Sequence, residues 1–200
     1  MTRFPSQLGQ DTFVLKYKKD PGVFLEIGAF HTKDLSNTWA LEKRGWTGYC
    51  VEPFPQGNWP SERPNTVLIK SVLTSHGNPV RFVKGKELGG DEKFLKTHAH
   101  SLKDCERVIL PSITVADMID IYKVPAHIDY MSIDVEGSEL EILNSFPFSS
   151  VDVDIITVEH NYELDKRQKI KALLERHNFV QVCENESKWD DWFIKRHLIN

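Results

Sequence analysis

The chain holds only three cysteines in 200 residues, Cys50, Cys105 and Cys183, an odd number with no Cys-x-x-Cys. Their spacing excludes a disulfide framework and a thiolate zinc site, and reads as reduced thiols in a cytoplasmic protein. Cys50 and Cys183 sit in apolar runs, where a thiol packs as a small hydrophobe. No segment approaches the ~20 apolar residues that cross a bilayer. The opening Met1-Thr-Arg-Phe-Pro-Ser6 lacks the apolar core of a signal peptide, so stable membrane insertion is not expected. Positive charge is scarce too: 25 Lys and Arg against 29 Asp and Glu give a net charge of −4. A nucleic-acid surface needs clustered Lys and Arg, so no such partner is expected. Repeats and low-complexity tracts are also missing, and residues 1–200 are expected to form one domain.

What is present is an alternation of strand-like and helix-like segments. Residues 23–27, 47–51, 66–70 (running on toward Leu73), 128–133 and 153–158 are continuously apolar, the pattern of strands buried on both faces. Helices are predicted over 10–18, 34–44, 114–123, 138–146 and 164–177. Gly45 closes the second of these, and Thr114 with Asp117 opens the third as an acidic capping box. Residues 75–79 form a turn before a strand at 80–83, which predicts a hairpin. Residues 179–183 and 189–195 make a closing antiparallel pair. Residues 1–20 are a polar lead-in. Residues 84–110 keep no period, carrying Gly85, Gly89, Gly90, His98 and His100 among charges. A long irregular stretch inside a compact domain is commonly functional, and this one is read as the substrate loop. The whole predicts an α/β fold with a mostly parallel sheet and helices on both faces.

The turn after the first strand is Gly28-Ala-Phe-His-Thr-Lys33, with one glycine where a dinucleotide fingerprint has three. Phe30 occupies the place of the second, so a pyrophosphate is poorly served and a nucleoside without phosphates fits better. Glu52, ending the second strand, stands where an acid accepts hydrogen bonds from ribose hydroxyls. Glu26 in the first strand adds negative charge. Together they suit S-adenosylmethionine, whose sulfonium and amino groups are cationic.

Asp134-Val-Glu-Gly-Ser-Glu139 follows the fourth parallel strand, delivering carboxylates to the edge where ligands sit in open α/β sheets. Acids before a helix also stabilise its dipole, and for Asp134 and Glu136 that is the competing account. Glu139 and Glu141 read as solvated helix-face charges. Glu159-His160-Asn161 ends the neighbouring strand, beside Asp134. Two devices for activating a hydroxyl stay open there. His160 is a general base by its ordinary pKa, with Asp134 and Glu159 next to it, a satisfied structural histidine being the competing account. Alternatively Asp134, Glu159 and Asn161 supply oxygen ligands to Mg²⁺ or Mn²⁺. His31 either faces substrate or caps the next helix, and His98 and His100 lack a third metal ligand. Trp59, in a Pro-containing loop, is the tryptophan expected beside an adenine; Trp39, Trp46, Trp189 and Trp192 read as packing. Tyr162-x-x-x-Lys166 matches the catalytic pair of short-chain NAD(P)-dependent reductases, but without their glycine-rich turn. A non-catalytic nucleoside-binding protein is the other alternative.

Several stretches resemble the FkbM-type S-adenosylmethionine-dependent methyltransferases: Leu25-Glu-Ile-Gly-Ala29, Ser36-Asn-Thr38, Gly45-Trp-Thr-Gly-Tyr-Cys-Val-Glu-Pro53, Ile128 through Leu143, and Thr157-Val-Glu-His-Asn161. The most specific is Asp134-Val-Glu-Gly-x-Glu. The chain departs from the pattern after Gly28-Ala29, where Phe30-His31-Thr32 replaces Asp-Gly or Asn-x-Gly. The resemblance implies the class I Rossmann-like fold with seven strands, and O-methylation of a sugar or polyketide hydroxyl, here a small-molecule or glycan acceptor. The cofactor set then comprises Glu26, Gly28, Ala29, Phe30 and His31 from the first strand and turn. Glu52, Ser71, Asp134 and Glu136 complete it. Asn37 and Asn161 are expected on the substrate.

Overall fold

Strand β1 (Val23–Ile27) shows why its run is continuously apolar. Leu25 and Ile27 point into one core and Phe24 into another, so both faces of the strand are covered. The computed structural model describes residues 4–95 and 100–199. Helix α1 (Gln10–Tyr17) precedes β1, and α2 (Trp39–Glu42), β2 (Thr47–Val51), α3 (Trp59–Glu62) and β3 (Thr66–Ile69) follow it. After β4 (Val72–Thr74) and β5 (Val80–Val83) come β6 (Gly90–Asp91), β7 (Arg107–Leu110) and β8 (Ser112–Thr114). Then α4 (Val115–Tyr122), β9 (His127–Ile133), α5 (Glu139–Ser145), β10 (Asp152–Glu159) and α6 (Leu164–Arg176) alternate, before β11 (Phe179–Val182) and β12 (Asp190–Lys195).

Seven strands form the main sheet in the order β11-β12-β10-β9-β1-β2-β3. All neighbours are parallel except β12, which runs antiparallel between β10 and β11. One core, with Met131, Ile133, Ile142, Leu143, Ile170 and Leu174, lies under α4, α5 and α6. The other, with Phe13, Phe24, Leu41, Trp46 and Trp192, lies under α1 and α2. The chain turns from winding one way to winding the other between β1 and β9, and a crevice opens at such a switch point. Helix α4 starts with the expected capping box, Thr114 and Asp117 each accepting from the other's backbone N–H.

Three expectations need correction. The helix predicted over 34–44 is only the single turn α2, because the chain before it is drawn onto a buried side chain. Ser36 Oγ, Asn37 N and Thr38 Oγ1 all donate to Glu26, at 3.1, 2.7 and 2.6 Å. The predicted hairpin is not formed either. The chain kinks at Lys70-Ser71, so β4 leaves the main sheet to pair in parallel with β8, and β5 pairs with β6 and β7. Within the stretch read as one irregular loop, Gly90–Asp91 and Arg107–Leu110 are therefore strands of a small antiparallel sheet with β5. His98 lies outside the described residues, and His100 is exposed.

Candidate active site

The carboxyl ends of β1, β2, β9 and β10 border a cavity of about 670 Å³. Gly28 makes the closest approach of backbone to backbone there. It has φ 86°, and a Cβ at this position would lie 1.6 Å from the Asp134 carbonyl oxygen. Only glycine lets the ends of β1 and β9 pass so closely. Phe30, in the place of a second glycine, takes φ 41°. Its N–H donates to Glu52 Oε2 at 3.0 Å, while Phe54 N donates to Oε1 at 2.8 Å. Glu52 thus fixes both loops of the cavity wall, and each oxygen keeps a further lone pair for a ligand hydroxyl. Burial raises its pKa, opposed by those two hydrogen bonds. Ala29 and Ser71 also line the cavity. Glu26 borders it as well, but its carboxylate is taken up by residues 36–38 and shapes the wall from behind.

Across the switch point stand Asp134, Glu136 and Glu159, each with a carboxylate oxygen within 4.8 Å of the other two. Parallel pairing of β9 with β10 sets Ile133 opposite Val158, so the acids that follow converge. Burial raises the pKa of all three: Glu159 is pushed up to about 11, helped by Asp134 and Glu136, Asp134 well above the usual range, helped by Glu136, and Glu136 to about 7, helped by Glu139. Glu136 adopts φ 59° and Asn161 φ 48°. Asn161 Nδ2 donates to Glu159 Oε2 at 2.6 Å and lies 3.5 Å from Glu136 Oε2. Helix-dipole stabilisation alone does not account for acids held this way, since like charges this close raise the free energy of the empty cleft.

Not every expected residue joins this group. His160 is 1% exposed and does not line the cavity, because strand alternation turns it to the opposite face from Glu159. Its Nε2 donates to the Asp190 carbonyl at 3.1 Å and its Nδ1 accepts from Tyr162 N at 3.0 Å. Burial pushes its pKa down, so the neutral imidazole is a brace with both nitrogens used. His31 also stays outside the cavity, and its Nδ1 accepts from Lys33 N and Asp34 N. Of its two readings, local capping is the one the geometry has. Asn37 borders the cavity and donates from Nδ2 to Ser132 Oγ at 2.9 Å.

Glu139 is no solvated charge. It is fully buried, accepts from Val135 N and Gly137 N, and pairs with Lys166 Nζ at 2.9 Å. That pair takes Lys166 away from Tyr162, which is 64% exposed, so the reductase-like motif has no catalytic geometry. Glu141 is half-buried and accepts from Ser75 Oγ at 2.5 Å. Trp59 is buried beside Arg63 in the core and away from the cavity, whereas Trp189, read as packing, lines it. No local signal distinguishes those two tryptophans; their places depend on how α3 and β12 dock.

The family model of the methyltransferase FkbM domain matches residues 26–182. Among solved structures, a precorrin-6y C5,15-methyltransferase from Geobacter metallireducens is similar at 14% identity and TM-score 0.49, over 92% of this chain and 85% of that one. A protein described as an RNA methyltransferase from Pyrococcus horikoshii is similar at 11% identity and TM-score 0.44, over 88% and 68%. Among curated proteins, no relative matches.

Proposed function

The chain belongs to the FkbM methyltransferase family, and on that premise we propose that it is an O-methyltransferase acting on a hydroxyl of a sugar or glycan. S-adenosylmethionine, when bound, supplies a methyl group on a cationic sulfonium to a nucleophilic oxygen. The cavity suits it: about 670 Å³ lies within the ~300–1,000 Å³ of small-molecule sites. Glu52, with lone pairs free beyond its two backbone bonds, is the residue for the ribose hydroxyls. Gly28, Ala29 and Phe30 form the close-approach wall, with Ser71 beyond them. Asp134 and Glu136 face the cationic end.

The observation that carries this reading is the carboxylate trio of Asp134, Glu136 and Glu159 beside the Gly28 turn. Burial and crowding favour protons on these carboxyls in the empty pocket, and a sulfonium and an ammonium beside them favour the charged carboxylates instead. In the same group, Glu159 is the carboxyl placed to take the hydroxyl proton once the cationic cofactor beside the trio has drawn its raised pKa back down. It takes the role that His160 would have had, with Asn161 Nδ2 orienting its carboxylate. The second reading is a divalent ion such as Mg²⁺ or Mn²⁺ on Asp134 and Glu159. Glu136 would replace Asn161 as third ligand, because it is the carboxylate within 4.8 Å.

Calorimetric titration with S-adenosylmethionine and S-adenosylhomocysteine, followed by methyl-transfer assays on a panel of glycosides, tests the proposal. Binding at 1:1 with turnover supports it, and comparable binding of NADH would sink it. Binding without turnover on any acceptor returns the chain to a nucleoside-binding role. Activity lost to EDTA and regained with Mg²⁺ or Mn²⁺ selects the metal reading over the Glu159 base.

A further inference from the structure

Trp189 is placed unlike the tryptophans the fold buries. Trp46, Trp59 and Trp192 are 0%, 4% and 3% exposed and fill the core. Trp189 is half-buried and forms part of the cavity wall. Its backbone is pinned, since its carbonyl accepts from His160 N at 2.8 Å and Asn161 N at 3.2 Å. The next residue, Asp190, pairs with Glu159 across the β10–β12 ladder, which brings the Trp189 backbone beside the Glu159–Asn161 turn.

The neighbourhood is built rather than incidental. Asn161 and Tyr162 are consecutive residues at φ 48° and 59°. Asparagine adopts this conformation readily but tyrosine does not, and strain of the kind Tyr162 carries gathers at functional sites. The strained turn keeps Asn161 in the cavity wall. Gln7, arriving from the segment before α1, lines the same cavity. Lys188 Nζ stands over the Trp189 ring, 5.5 Å from its centroid, so one face of the indole is already covered. The indole thus shares the lining of one cavity with two carboxamides, Gln7 and Asn161, and the Glu159 carboxyl.

Adenine does not fit this wall. Glu52 belongs to β2, and β1 and β9 separate β2 from β10 in the sheet. A nucleoside held by Glu52 therefore lies on the other side of the carboxylate trio. A pyranose ring has the complementary chemistry, with C–H groups on one face for an indole and hydroxyls at the edge for amides. We infer that Trp189 is the stacking platform for the acceptor's sugar ring, with Gln7 and Asn161 on its hydroxyl edge. This deepens the glycan reading and rests on it.

The test is saturation-transfer NMR of methyl β-D-glucopyranoside, methyl α-D-mannopyranoside and methyl α-L-rhamnopyranoside with the full chain saturated in S-adenosylhomocysteine. Wild type and Trp189→Phe should transfer magnetisation to ring protons of at least one glycoside. Trp189→Ala should weaken that binding by about 3- to 10-fold, as loss of an aromatic partner does. Calorimetric affinity for S-adenosylhomocysteine should be the same in all three proteins. Equal glycoside binding by Trp189→Ala overturns the platform alone. Weakened S-adenosylhomocysteine binding by that variant overturns it in favour of an adenine contact. Absence of glycoside binding to wild type that still holds S-adenosylhomocysteine overturns the glycan reading with it.

Discussion

The Lys166 ammonium lies 2.9 Å from the Glu139 carboxylate beneath the acidic turn, with the two side chains 8% and 0% exposed. Glu139 in turn holds Val135 N and Gly137 N, so the pair anchors the loop that presents Asp134 and Glu136. Lys166→Met strands a buried charge, and a loss of about 3–5 kcal/mol is expected in urea denaturation. Adding Glu139→Gln should recover part of it, because an amide oxygen still accepts from both N–H groups without a charge.

Gly28→Ala should abolish cofactor binding, since its Cβ would lie 1.6 Å from the Asp134 carbonyl. Gly45→Ala is the control. Gly45 has φ 90° but its nearest obstacle is Pro21 Cγ at 3.5 Å. It should cost only the ~1 kcal/mol of an unfavourable backbone conformation and leave calorimetric affinity unchanged. Equal effects of the two would remove the argument from close approach.

Glu136 carries a pKa raised to about 7 by burial and by its acidic neighbours. Between its unfolded value near 4.5 and about 7, the folded chain holds the extra proton, so this contribution to stability is lost as pH rises through that window. Relative to Glu136→Gln, wild-type melting temperature should fall from pH 5 to pH 8. A sulfonium placed beside the trio lowers these pKa values. S-adenosylmethionine should therefore release protons on binding at pH 7, and S-adenosylhomocysteine fewer, read from heats in buffers of different ionisation enthalpy.

Glu159→Gln should lower turnover by ~10²–10⁴-fold, the usual contribution of a general base, with affinity for S-adenosylhomocysteine, which has no sulfonium, retained. His160→Gln should instead loosen Tyr162 and Asp190 and lower stability, leaving the pH–rate profile in place. A profile that loses its acidic limb, where rate falls as the base is protonated, only in the His160 variant would reverse the assignment.

Much of this architecture was legible because buried parallel strands read as unbroken apolar runs. The convergence of Asp134 with Glu159 followed from β9 and β10 being neighbours whose carboxyl ends are level. Which member of Glu159-His160-Asn161 faces the ligand was not legible, because it depends on the parity of the last strand residue. Glu139 was misread because its partner Lys166 is a helix and a strand away. The helix expected over 34–44 failed for a similar reason, since the acceptor for Ser36, Asn37 and Thr38 is Glu26, on another element. Local propensity does not register a distant carboxylate.

The antiparallel β12 sits between β10 and β11, which do not pair with each other. As the polypeptide leaves the ribosome, β10 therefore appears with one edge unoccupied and keeps it until Asp190–Lys195 has been translated. Trp189 arrives with the same segment. The wall of the cavity that carries it thus closes only after β10 has emerged, and until then the nascent chain offers an open strand edge to chaperones or to a second copy of itself.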